Sequence, residues 1–253
     1  MFDFVCLLRR LSLVFFINVI FFQSGYADDI KSIGVPYVEN YSKQFYQAGN
    51  QNWSIVKDVS GVMYYGNSEG LLSFDGKYWR LNQMPNKVIV RSVATDNKGK
   101  IYTGGYGEIG YWSYNKEGRF VYHSIKHLIP PKNPLNSDVW KMYVDKDRVL
   151  FQSFDCIYIY EKGKITAVDV TEPFLFLLKA NNRFFIEILS KGMYELKGSK
   201  LEFIPGSEVL ANTEVLSVLP FNNNYLIGTA KDGLFICDGS TVKPWRINAD
   251  NFL

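Results

Sequence analysis

Trp53 follows Asn52, Trp140 lies two residues after Asp138, and Tyr106 lies two residues before Glu108. Flat aromatic faces beside carboxamide and acidic groups are the components of sites for carbohydrates and other small polar ligands. Glu69 and Asp232 fall in turns that correspond to the one carrying Tyr106 and Glu108. Asn52, Trp53, Glu69, Tyr106, Glu108, Asp138, Trp140 and Asp232 are therefore the candidate ligand-binding residues, with the same positions open to a plain packing role for the two tryptophans.

Other combinations carry less chemistry. His123 and His127 are four apart, but they sit in a Tyr-His-Ser-Ile-Lys-His linker without a cysteine partner, so no metal site is expected. Gly104, Gly105, Gly107 and Gly110 superficially resemble a phosphate loop, yet no Gly-Lys-Ser/Thr follows and the next element reads as a strand. Asp58, Asp96 and Asp145 recur where a first strand ends, which suits turn capping better than catalysis. No catalytic residue and no cofactor are expected.

The elements that must position the candidates begin after an export signal. Arg9 and Arg10 precede the apolar run 11–22, and small residues at Gly25 and Ala27 suit cleavage before Asp28. Twelve residues of helix span about 18 Å, short of the roughly 30 Å hydrocarbon core; an uncleaved membrane anchor is the rival reading. Residues 1–27 are thus read as a signal peptide and 28–50 as a leader. A balance of 28 basic and 25 acidic side chains is too even for nucleic-acid binding.

From residue 51 onward the chain repeats. Residues 61–79 read GVMYYGNSEGLLSFDGKYW and 223–245 read NNYLIGTAKDGLFICDGSTVKPW: apolar strand, Gly, polar turn, Gly-Leu, apolar strand, Asp-Gly, aromatic. Weaker copies occur at 100–120, 149–165 and 183–203. The aligned positions Gly70, Gly110, Cys156, Gly192 and Gly233 are 40, 46, 36 and 41 residues apart. With the apolar run before each copy, every unit holds four candidate strands, the arithmetic of a β-propeller blade. An all-β propeller of four-stranded antiparallel blades is expected, with units at 51–85, 86–130, 136–170, 172–207 and 212–247; a β-sandwich is the alternative. Arg80-Leu81-Asn82 after the first unit reappears as Arg246-Ile247-Asn248 after the fifth, which reads as an incomplete array.

Residues 34–79 resemble the opening of the two-component-regulator propeller family, also called triple-tyrosine-motif sensors. The resemblance rests on Gly34, Pro36 and Tyr41 of a leader motif, on Gln51, Asn52, Trp53, Ile55 and Asp58 of a first strand, and on the stretch Gly66 to Leu72. It implies a periplasmic sensor segment of a bacterial signal-transduction regulator. The later parts of that family, a Tyr-rich sandwich, a membrane helix and an output module, have no matching residues here. The implied partners are a small polar ligand or glycan, with homo-oligomerisation and membrane attachment only through those later parts. A stand-alone extracytoplasmic scaffold or adhesin that binds protein or glycan is the first rival, and a propeller lyase or glycosidase the second.

Signal removal takes away Cys6 and leaves Cys156 and Cys237. One whole repeat unit separates them, whereas bridgeable Cα atoms lie within about 7 Å, so two free buried thiols and no disulfide are expected. Thiol titration of the denatured exported chain is expected to give the same count with and without reductant; a lower count without reductant overturns this.

Overall fold

The computed structural model describes residues 38–170, 172 and 174–246. The signal peptide, Gly34 and Pro36 of the leader motif, and Ile247–Leu253 lie outside them. The chain divides into Met1–Asn40 and Tyr41–Leu253, and all the strands belong to the second unit. No helix among the described residues is long and apolar enough to cross a membrane.

Among the described residues, twenty strands form five four-stranded antiparallel sheets, each made of four consecutive strands. The first holds β1 (Asn52–Lys57), β2 (Met63–Asn67), β3 (Gly70–Phe74) and β4 (Trp79–Asn82). The second holds β5 (Ser92–Thr95), β6 (Ile101–Gly105), β7 (Glu108–Tyr114) and β8 (Phe120–Ser124). The third holds β9 (Lys141–Asp145), β10 (Arg148–Gln152), β11 (Cys156–Glu161) and β12 (Lys164–Asp169). The fourth holds β13 (Phe174–Ala180), β14 (Arg183–Ile188), β15 (Gly192–Lys197) and β16 (Lys200–Phe203), and the fifth β17 (Val215–Phe221), β18 (Asn224–Thr229), β19 (Leu234–Cys237) and β20 (Val242–Pro244). Each sheet lies inside one of the five repeat units.

The hairpins follow from turn chemistry. Lys162 and Gly163 both take positive φ between the paired residues Glu161 and Lys164, the condition for a two-residue turn that matches strand twist. Asp58 accepts hydrogen bonds from the Ser60 and Val62 amides, and Asp96 from those of Lys98 and Lys100, as turn caps do. Asp145 differs from that expectation. The two-residue turn after it places Arg148 directly opposite, and its carboxylate binds that guanidinium at 2.9 and 3.0 Å.

The repeat alignment also needs one correction. Asn67 pairs with Gly70 and Gly105 with Glu108, so Glu108, and not Gly110, is the counterpart of Gly70. Gly110 is required for another reason: a Cβ there would lie 2.4 Å from the His123 carbonyl oxygen of β8.

Strand alternation sends one set of apolar residues to each neighbouring sheet. Tyr64 and Leu71 meet Val90, Val93 and Ile101 between the first two sheets, while Tyr102 and Ile109 pack with Val139 and Met142 between the second and third. Leu150 and Ile157 join Phe174 and Ile186 at the third joint, and Phe185 joins Val215, Val218 and Ile227 at the fourth. Cys156 is buried in the second of these clusters and Cys237 in the fourth, both as free thiols.

Within this pattern Gly66, Gly104, Gln152, Glu187 and Gly228 are equivalent positions on the second strands, and the first four face the next sheet. A Cβ on Gly66 would stand 2.8 Å from the Val90 carbonyl oxygen, and one on Gly104 2.8 Å from Val139 Cβ. Gln152 fills the place differently, donating to the Leu175 carbonyl at 2.9 Å and accepting from the Leu177 amide at 3.4 Å.

The leader docks on the other face of the first sheet. Its single turn of helix, α1 (Lys43–Tyr46), is flanked by Tyr41, whose ring lies 5.3 Å from those of Phe74 and Trp79. The buried Asn67 side chain accepts from the Gly49 amide at 3.0 Å and donates to the Gly49 carbonyl at 2.8 Å.

Replacing Gly66 by Ala is expected to cost about 1–3 kcal/mol, the usual range for overpacking, because its new methyl meets backbone that cannot swing aside. Denaturant unfolding measures this; an unchanged midpoint overturns the close-approach account.

Candidate functional site

The strand starts build the site. Asn52 pairs with Asn67 and Ser54 with Gly66, so Trp53 is the extra residue of a bulge at the head of β1. Bulges re-aim a side chain. Ser92 pairs with Gly104 and Lys141 with Gln152, which makes Arg91 and Trp140 the counterparts of Trp53 on the next two sheets. Backbone bonds from the Arg91 amide to Gly104 and from the Trp140 amide to Gln152 fix both residues at 2.9 and 2.8 Å.

The three side chains stack. The Arg91 guanidinium carbon lies 4.0 Å from the Trp53 ring centroid and 5.0 Å from that of Trp140. The two indoles are 6.1 Å apart and edge-on to each other. Trp53 donates from Nε1 to Ser68 Oγ at 3.1 Å, which ties it to the β2–β3 turn. Asp138 brings an oxygen to 3.3 Å from Arg91 Nε, near enough for ion pairing but not aligned as a hydrogen bond, and Arg91 Nη1 is buried with no hydrogen-bond partner among the described residues. Beyond Trp140 the aromatic run continues through Phe154 at 5.5 Å to Phe176, over which Lys141 sits at 5.3 Å. Aromatic and cationic groups from four consecutive sheets thus form one surface, on which Trp53 remains 40% exposed.

Of the candidates read from sequence, Trp53, Asp138 and Trp140 are brought together here. Asn52 stands at the margin, its side-chain oxygen accepting from Asn67 Nδ2 at 2.8 Å. Tyr106 is 62% exposed on the β6–β7 turn, and the next residue, Gly107, donates to the Ser137 carbonyl beside Asp138. The other three lie elsewhere. Glu108 opens β7, and its carboxylate accepts from the Tyr122 and Ser124 hydroxyls of β8 at 2.9 and 2.7 Å. Glu69 borders a hollow against the leader with Lys43, Gln47 and Ala48. Asp232 lines a separate groove with Leu234, Pro244 and Trp245.

Arg91, Phe154, Lys141 and Phe176 are absent from the sequence-based set. Arg91 was findable, since it occupies the same repeat position as Trp53 and Trp140; Phe154 and Phe176 have no such periodic mark.

Several titratable groups around the sheets are shifted by burial. Burial pushes the Cys156 thiol up to about 12 and raises that of Cys237, so neither supplies a thiolate near neutrality. Burial, then the Glu108 charge, raises the Tyr122 phenol well above its usual range. Among the described residues no group of three or more His, Cys, Asp or Glu side chains is placed to hold a metal.

No family model matches the chain, and no curated protein matches it. Solved structures do. An extracellular domain assigned to the hybrid two component system BT3049 of B. thetaiotaomicron matches 82% of this chain at TM-score 0.58 and 19% identity. Another, assigned to the BT4673 one component system of the same organism, matches 78% at 0.54 and 19% identity. The WD40 β-propeller domain of Doa1 matches 77% at 0.55 and 15% identity. The fold is a β-propeller. The chain spans 32% and 28% of the BT3049 and BT4673 chains, and this likeness is consistent with the two-component-regulator propeller resemblance of residues 34–79.

Replacing Arg91 by Ala removes a cation shared by two indoles and leaves the Asp138 carboxylate without it. A loss of about 1–2 kcal/mol is expected from the two cation–π contacts, with a shift in intrinsic tryptophan fluorescence. Fluorescence and unfolding curves identical to wild type overturn the stack.

Proposed function

We propose that this chain is the extracytoplasmic ligand-binding propeller segment of a bacterial signal-transduction regulator, and that it binds a small polar ligand or glycan through the Trp53–Arg91–Trp140 stack. The observation that carries the reading is the cluster itself: an arginine against the rings of two indoles that also meet each other edge-on, Trp53 being substantially exposed, with Asp138 beside the guanidinium. The export pattern of residues 1–27 and the likeness to extracellular domains of two-component systems support the setting.

The chemistry is recognition without reaction. The open face of Trp53 takes the apolar face of a sugar ring, while Asp138 and Arg91 Nη2 bond its hydroxyl or acidic groups. Glu69, Glu108 and Asp232 serve other settings: the hollow beside the leader, the Tyr122 and Ser124 hydroxyls, and a separate groove. Because the stack draws on three sheets, a ligand that bridges it favours one relative placement of those sheets over others, which is the differential affinity that a sensor needs.

A panel of neutral and uronate-containing oligosaccharides titrated against tryptophan fluorescence tests this. At least one member is expected to bind wild type, with affinity falling tenfold or more in Trp53→Ala and Arg91→Ala. Binding of equal strength in both variants, or no response from wild type to any member, overturns the reading.

A further inference from the structure

Glu187 sits in the position that Gly66, Gly104, Gln152 and Gly228 fill in the other sheets, on the face of the fourth sheet that meets the fifth. Its neighbour Phe185 packs with Val215, Val218 and Tyr225 in that joint. The residue is 2% exposed, and neither carboxyl oxygen makes a hydrogen bond of ordinary geometry among the described residues, although the Val215 amide lies close enough to favour the carboxylate. The Thr213 hydroxyl, two residues before Val215, is likewise buried and unpartnered among them.

Gln152 shows what this place requires when it holds a long polar side chain. Its amide gives one hydrogen to the next sheet's Leu175 carbonyl and takes one from the Leu177 amide. A carboxylate can only accept, whereas a neutral carboxylic acid has the donor and acceptor pair of an amide.

The surrounding charges offer no cation. On the fourth sheet, Arg183 is engaged with Glu195 through bonds of 2.7 and 2.6 Å and with the Gly239 carbonyl of the fifth. Lys197 binds Glu202 at 2.7 Å and lies 3.7 Å from Glu195. The β13 residues packed in this joint, Leu178 and Ala180, carry no charge, and Glu208 in the turn Ser207–Leu210 is exposed. From the fifth sheet the charged neighbour is Glu214, which disfavours a second negative charge; Tyr225 is turned to Arg183.

We propose that Glu187 is a proton-operated latch on the joint between the fourth and fifth sheets: as a neutral acid it bonds across the joint as Gln152 does, and as a carboxylate it loosens the joint. Burial, the largest influence, pushes its pKa up to about 7 against the Val215 amide, which favours the carboxylate, with a smaller upward push from the Glu214 charge. The direction follows from proton linkage. The folded chain holds the Glu187 proton over a range where the unfolded chain has lost it, so the latch is fully closed at low pH and its contribution disappears as pH rises through about 7. This holds whether or not the tryptophan stack binds a ligand.

Unfolding of the full chain and of Glu187→Gln from pH 5 to 8.5 tests the latch, because Gln keeps the shape and the donor without the proton. The ratio of unfolding constants, wild type over variant, is expected to rise about tenfold per pH unit from pH 5 to 7 and then level off, a slope set by one proton. A ratio flat across that range overturns the proposal. Wild-type protein supplies a second measurement that requires no variant: infrared difference spectra are expected to show a buried neutral carboxyl at pH 6 that is gone at pH 8.5, and its absence at pH 6 overturns the proposal equally.

Discussion

The close approach of each sheet to the lead-in strand of the next is the constraint on which the rest of the molecule rests. Gly66 and Gly104 leave out a side chain so that Val90 and Val139 can settle against bare backbone. A valine seated in that notch forces its successor in the strand to point the other way. Those successors are Arg91 and Trp140. The stack is therefore not an ornament on a finished scaffold, since the buried contact that joins two sheets also aims the residue beside it.

The same position shows how differently a joint can be satisfied. Glycine removes the side chain, Gln152 replaces packing with two hydrogen bonds, and Glu187 introduces a group whose protonation decides whether it fits. Buried polar groups left without partners are costly, and the fourth joint compensates elsewhere with the Arg183–Glu195 pair, whose mutual attraction raises the arginine and lowers the carboxylate from their usual ranges.

Much of the architecture was legible in the chain because hairpin chemistry is local. Asp58, Asp96 and Lys162-Gly163 mark turns by their own side chains and φ preferences, so the order of the strands followed from sequence. What one strand places across the joint from another is not local. Glu108 has the same neighbours as a turn residue, yet its carboxylate reaches β8 because the turn before it closes two residues early. Arg91 and Asp138 are 47 positions apart, and only the register of β5 and β9 beside their neighbouring sheets brings them to 3.3 Å. Residue type pointed to Trp53 and Trp140; the cation between them required the alignment of whole strands.

The leader's grip on Asn67 bears on the order in which the molecule assembles. Asn67 reaches back only 18 residues to Gly49, and the strands of each sheet pair with their immediate neighbours in sequence. Short loops are cheap to close and quick to form. The first sheet can thus be clamped by residues that leave the ribosome before it, and each later sheet finds an apolar wall already standing.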